Sequence, residues 1–414
     1  MRPAEQTSGA DPQRRHRPDY WLVILAASLL GIGLITVYSI SPGLAASQNL
    51  SQGYFIAKEL IAVGLGVLSF IIASQLKLTS WRRWLPILVV AAAAAAGLAE
   101  LMPLNTAFPA HRWLRAGGFS FQVAELIKFA LIIWTASFLA QGWQAGKLRD
   151  WRATTRPLLL VILGVGLVVA KLESDLGSAA VMVVIVTAMV YIIGLPLRKV
   201  VMISLVVIAA GALAISTSAY RRERLASFWH PASHCQTSAY QACQAMIAVG
   251  SGGLAGLGLG NSVQAYGYLP EASNDSIFAI IAEKFGFIGT SLVIVLYGLL
   301  IARLKRVIER SRDQFGRLVA VGVLAWISSQ MIVNVGAMLG LLPLKGITLP
   351  LISQGGTSVL FLTAALGLVF QISRYTSYSA NEPFENTAER TDYRLDGRRL
   401  RRPYNPAYTA RPRA

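Results

Sequence analysis

The sequence predicts an all-α, polytopic membrane protein with ten transmembrane helices and one large extracytoplasmic loop. Three observations carry that reading. Of 414 residues, 54% are hydrophobic and only 14% charged, whereas a soluble domain needs roughly a quarter of its residues charged to cover its surface. The apolar residues fall into ten runs near the length of about 20 residues that a spanning helix requires. The basic residues, finally, concentrate in every second segment between those runs. The same composition excludes a disordered chain, and two cysteines exclude a disulfide-stapled scaffold.

The runs occupy 20–40, 54–76, 84–102, 120–141, 157–172, 176–196, 199–217, 276–302, 318–341 and 356–373. Arg14, Arg15 and Arg17 ahead of the first run, and the small residues 43–46 after it, resemble a signal peptide. The run is longer than a signal's apolar region of about 7–15 residues, so it reads as an anchored helix. With the N-terminus inside, the segments 1–19, 77–83, 142–156, 197–199, 303–317 and 374–414 hold 28 of the 38 Lys and Arg residues. That is the asymmetry that fixes a multispanning chain with both ends cytoplasmic. The short run 157–172 belongs to the count, because without it six cations of 303–317 would face outward.

Three parts follow: a cytoplasmic tail over 1–19, a membrane domain over 20–374, and a basic tail over 375–414. The last, with Arg398, Arg399, Arg401 and Arg402 clustered, is expected to be disordered and attracted to anionic lipid headgroups. A net charge of +18 would indicate nucleic acid in a soluble chain; here it is mainly an address, and no nucleic-acid partner is expected. No internal repeat is visible, which weighs against transporters built from two similar halves.

Ionisable residues at membrane depth are functional candidates, since burying them unpaired costs several kcal/mol. They gather toward the outer side: Lys58 and Glu59, Glu125 and Lys128, Lys171, Glu173 and Asp175, and Glu283 and Lys284, with Arg112, Arg115, Arg221, Arg222, Arg224 and Lys345 beside them. An outer face lined by cations with a few carboxylates suits an anionic ligand such as a pyrophosphate. A solvated rim is the plainer reading, and Glu125 with Lys128 also fits an i,i+3 pair that only joins helices.

The segment 218–275 is the longest outer loop, and loops of that length between packed helices are usually functional. Its glycine run over 250–260 contains one G-x-G-x-x-A match, but no strand precedes it and the expected topology puts it outside the cell, whereas Rossmann chemistry is cytosolic, so it reads as a set of tight turns and not a dinucleotide site. Both cysteines, Cys235 and Cys243, fall in this loop. An oxidising exterior favours a disulfide; a zinc site with His230 and His234, or two free thiols, are the other readings.

After the glycines come Asn261-Ser262-Val263-Gln264, then Tyr268-Leu269-Pro270-Glu271-Ala272 and Asp275, then Ile277-Phe278 and Glu283-x-x-Gly286-Phe287-Ile288-Gly289. Earlier stand Arg112-Trp113-Leu114, Gly118-Phe119-Ser120-Phe121-Gln122, Glu125-Leu126-x-Lys128, Asp175-Leu176-Gly177, and Tyr240-Gln241 with Gln244; later come Asn334-Val335-Gly336 and the two runs 340–346 and 350–358. In this order the blocks resemble the SEDS family (shape, elongation, division and sporulation). They are closer to its division member than to its elongation member.

The resemblance implies a peptidoglycan glycosyltransferase that polymerises lipid II on the outer face of the plasma membrane, paired with a class B penicillin-binding protein that crosslinks the strands. Asp275 matches the family's essential acidic position and is expected to be the base, while Glu271, Arg112, Lys128, Lys345 and Gln264 are expected to bind substrate. Asp275 also stands where a helix N-cap belongs, ahead of Ile277. A divalent cation, Mg²⁺ or Mn²⁺, is a further expectation.

Several positions depart from the family pattern: Ala265 replaces Lys, Val123-Ala124 replaces Pro-Ser, Glu173-Ser174 replaces Gln-Pro, Lys284 replaces Glu, and Gln354 replaces an aromatic. The Lys284 change reverses a charge and puts a cation held by a carboxylate pair in doubt. A lipid II flippase and a non-enzymatic scaffold are the readings from other classes.

Overall fold

The computed structural model describes residues 17–101, 113–116, 119–169, 175–217, 219–229 and 231–375. It is helical, with one short hairpin. A helix lies at each of the ten predicted positions: α1 (Tyr20–Ser47), α2 (Tyr54–Gln75), α3 (Leu78–Leu101), α4 (Val123–Gln144), α5 (Arg156–Leu167), α6 (Leu176–Ile192), α7 (Leu197–Ser216), and, after two more, α10 (Ile277–Arg310), α11 (Gln314–Met338) and α12 (Gly356–Ser373). Among the described residues, seven of these are long and apolar enough to cross a membrane: α1 to α4 and α10 to α12. α6 is apolar but has 17 residues, and the 12 residues of α5 extend only about 18 Å. A π-helical turn, Trp151–Thr155, runs directly into α5.

Three expectations are corrected. The predicted span 120–141 begins too early: Trp113–Ala116 (β1) pairs antiparallel with Phe119–Gln122 (β2), and the helix starts only at Val123. α3 begins at Leu78 and α10 continues to Arg310, because their polar ends prolong a helix whose apolar core alone was visible in hydropathy. The segment 218–275, expected to be the large outer loop, is not open chain, since it contains α8 (Ala219–Trp229) and α9 (Tyr240–Ser251).

Helix starts follow from their caps. Asp313 accepts from the Gly316 N–H at 2.9 Å, and Asp175 from both N–H and hydroxyl of Ser178 at 2.9 and 2.8 Å, as acidic N-caps do. α4 lies deepest, with every residue from Val123 to Ile133 buried. α2 lies along α12 through small residues: a Cβ on Gly66 would stand 2.9 Å from Val359, and one on Gly367 2.6 Å from the Phe70 carbonyl. Such close approach is how membrane helices gain packing without a hydrophobic drive.

The glycine run has a definite partner. α10 kinks at Gly286, with φ 64° and ψ −160°, a conformation essentially restricted to glycine. The run lies against this kink backbone to backbone: the N–H groups of Leu257 and Gly258 donate to the carbonyls of Glu283 and Lys284, and those of Phe287 and Ile288 to Gly253 and Leu254, at 2.9 to 3.1 Å. A Cβ on Gly252 would stand 1.9 Å from the Ala282 carbonyl oxygen, whereas one on Gly250 meets nothing within 4 Å. Gly252→Ala is therefore expected to lower stability by about 1–3 kcal/mol through overpacking, and Gly250→Ala, within α9 and with open space at its Cβ, to keep or slightly raise it, as read from melting temperatures of the detergent-solubilised proteins.

Candidate active site

The site forms where the turn ahead of α10 meets the loop after α11. The turn is shaped by Glu271, at φ 53°, whose carbonyl accepts from the N–H groups of Asn274 and Ser276 at 2.9 and 3.2 Å. Its exposed carboxylate accepts from the Asn274 side chain. Buried Asn334 in α11 then joins the two segments, donating from one amide to the carbonyls of Asp275 and Ile347, each at 2.7 Å. Ser353 adds a second join, donating to the Asn274 carbonyl at 2.6 Å and accepting from the Leu349 N–H at 2.7 Å. Gln354 N–H donates to the Ser273 carbonyl at 2.8 Å, and the Tyr297 hydroxyl donates to Pro350.

This scaffold puts Asp275 and Lys345 on the walls of one small cavity, with Asn334, Ala337 and Leu344. Asp275 is 7% exposed, and its carboxylate accepts from Gln241 Nε2 at 3.2 Å. The cap of α10 is Ser276, not Asp275, and that serine makes no side-chain cap bond; its hydroxyl instead donates to the Pro270 carbonyl at 2.9 Å and accepts from Gln241 at 3.1 Å. Ala337 and Leu344 also line a neighbouring cavity of about 450 Å³, bounded on its other side by Glu223, Phe228, Tyr240 and Gln241. Its volume is that of a small-molecule site.

The remaining predicted positions are placed differently. Lys128 is fully buried, bonded to Glu125 at 2.7 Å and lying 5.1 Å from the centre of the Trp326 ring. The ion pair lies within α4, the Trp326 contact reaches α11, and Lys128 is not a wall of either cavity. Gln264 is buried in a turn organised by Glu283. The two carboxylate oxygens of Glu283 accept from the Ser262 hydroxyl and from the N–H groups of Val263 and Gln264, and Lys284 donates to the Leu259 carbonyl. With its oxygens so engaged, Glu283 does not fit a divalent cation. Arg222 is exposed; Arg112, Lys171, Glu173 and His230 lie outside the described residues, as do the side chains of Arg115, Arg221 and Arg224. Cys235 and Cys243 form a disulfide with Cα atoms 5.6 Å apart, which leaves no thiolates for zinc.

The sequence model of the cell cycle protein family FtsW/RodA/SpoVE matches residues 20–378. This chain belongs to that family. It is 37% identical over 365 residues to the Coxiella burnetii protein named "Probable peptidoglycan glycosyltransferase FtsW", across 86% of this chain and 96% of that one. It is 34% identical over 367 residues to stage V sporulation protein E of Bacillus subtilis, across 88% and 99%. Among solved structures it resembles the rod shape determining protein RodA of Thermus thermophilus, with a TM-score of 0.61, 27% identity and coverage of 87% and 98%. It also resembles a chain of a peptidoglycan synthase complex described for its coordination of polymerization and crosslinking, with a TM-score of 0.67, 27% identity and coverage of 86% and 98%. The SEDS resemblance read from the sequence blocks is borne out, and the chain is a membrane protein.

Asn334 and Gln241 stood in the quoted blocks without a role, because their partners lie far away in sequence; only the presence of long amides among apolar residues marked them. Replacing Asn334 with Ala leaves two buried carbonyls without their donor, and we expect a loss of about 1–3 kcal/mol. Asn334→Leu, of similar size but without a donor, should lower the melting temperature as far if the hydrogen bonds and not the packing carry the join.

Proposed function

We propose that this FtsW/RodA/SpoVE-family protein is a peptidoglycan glycosyltransferase that polymerises lipid II at the outer face of the bacterial plasma membrane during cell division. The observation that carries the reading is a buried carboxylate and a lysine on the walls of one cavity, Asp275 and Lys345, in a chain whose relatives are named for this activity. In the reaction, the 4-hydroxyl oxygen of an acceptor GlcNAc bonds to the anomeric carbon of a donor MurNAc, and the bond from that carbon to lipid pyrophosphate breaks. Asp275 takes the hydroxyl proton, and Lys345 neutralises charge on the departing pyrophosphate. Glu271 shapes the turn that presents Asp275, and Arg112 is assigned to the pyrophosphate by the family pattern alone.

Ten spans with both termini cytoplasmic complete the proposal, with the neighbouring cavity on the outer side and the basic tail over 375–414 inside. The division role is supported by 37% identity to an FtsW, against 27% to the RodA structure. A class B penicillin-binding protein is the proposed partner, in line with the resemblance to a chain of a peptidoglycan synthase complex. Purified chain given lipid II should form glycan polymer, and Asp275→Asn should lower the rate at least 10²-fold with an unchanged melting temperature. Wild-type polymerisation by a folded Asp275→Asn protein would end the assignment.

A further inference from the structure

We propose that Gln241 is a positioning residue that keeps the Asp275 carboxylate ionised and aimed into the site, and that the Cys235–Cys243 disulfide holds Gln241 in place, so that polymerisation requires the oxidised loop. The inference rests on the reading of Asp275 as the base. Gln241 donates one side-chain N–H group to Asp275 and lies within 3.1 Å of the Ser276 hydroxyl, so its position is fixed by two contacts at the start of α10. A hydrogen bond donated to a carboxylate favours its charged form and lowers its pKa.

α9, which carries Gln241, is held at its two ends by different means. At its C-terminal end, Gly252 lies against the Ala282 backbone. At its N-terminal end, Cys243 stands two residues after Gln241 and is bonded to Cys235, closing a ring at a sequence separation of 8. Thr237, Ser238, Ala239 and Tyr240 within that ring also line the larger cavity. One covalent bond thus fixes both the donor to Asp275 and a wall of the neighbouring space. Cys235 is half-buried, unlike buried Cys243, so a reductant has a route to the bond. Reduction adds two electrons and two protons, converts the bridge to two thiols and frees the ring. The wall then loosens and the amide leaves the carboxylate.

Around Asp275 stand Lys345 on the wall of the same cavity, Glu223 on the wall of the neighbouring one with Gln241, and exposed Glu271 in the same turn; Gln241→Met changes none of them. Without the donated N–H the carboxylate protonates more readily, so as the pH falls the ionised base survives only down to a higher pH and the acid limb of the rate profile moves up. The test uses the full chain in phosphatidylglycerol-containing vesicles with lipid II as probe, measuring kcat and KM against pH. Gln241→Met, similar in length but without the amide, should move the acid limb of kcat up by about one pH unit, roughly tenfold in rate on that limb, with KM within about twofold. Wild-type chain treated with a phosphine reductant, its reduction verified by alkylation of both cysteines, should show the same shift together with a raised KM, and reoxidation should reverse both.

An unshifted limb in Gln241→Met at wild-type kcat, or full activity of the fully reduced chain, overturns the proposal. The reduction arm needs no altered sequence, so a misfolded variant does not shelter it. Asp275→Asn in the same assay separates the two levels. If it is inactive while the other arms change nothing, this inference alone fails; if it polymerises normally, the reading of Asp275 fails with it.

Discussion

The hydrogen-bonded join between the turn ahead of α10 and the loop after α11 holds the site together. Asn334 reaches from α11 to the carbonyls of Asp275 and Ile347, one in each segment, and Ser353 and Gln354 tie the same two segments through the carbonyls of Asn274 and Ser273. Inside a bilayer-embedded protein the exchange with water that usually discounts a hydrogen bond is small, and an unsatisfied buried carbonyl is costly. The two loops are therefore set by a local requirement for hydrogen bonding. That Asp275 and Lys345 line one small cavity is its consequence.

Around that join the structure is stiff where backbones touch. The kink at Gly286 and the glycine run exchange four backbone hydrogen bonds, and Gly177 at the head of α6 sits so close to the second loop that a Cβ would meet Ile347 at 2.9 Å and the Lys345 Cβ at 3.1 Å. A Cβ has no room at these contacts, so the glycine run and the kink are located by each other's backbone and α6 by the side chains of the second loop. Strain at the site is correspondingly local: Glu271 and Leu351 hold positive φ without being glycine, one in each loop that Asn334 joins. Such conformations persist only where surrounding contacts determine them.

Hydropathy made the helices legible, because a bilayer imposes length and apolarity on every span. It could not show α8 and α9, whose short, mixed sequences follow packing and not membrane depth, nor the polar continuations of α3 and α10. At the site, Asp275 and Lys345 were legible through the family's blocks. The roles of Asn334 and Gln241 were not, since each is defined by a contact to residues 13 to 59 positions away. Lys128 shows the limit from the other side: a buried cation looks functional in sequence, and only the structure shows it paired with Glu125 one turn away in the same helix.

The central claim is that Asp275 and Lys345 serve one chemical step from one site. A double-mutant cycle on kcat for lipid II polymerisation, using Asp275→Asn, Lys345→Ala and both together, tests it most directly. Groups acting as a unit on one transition state are strongly non-additive, so the doubly substituted protein should be no slower than the slower single variant. Losses that multiply would mean that the two residues act independently and would contradict a shared site.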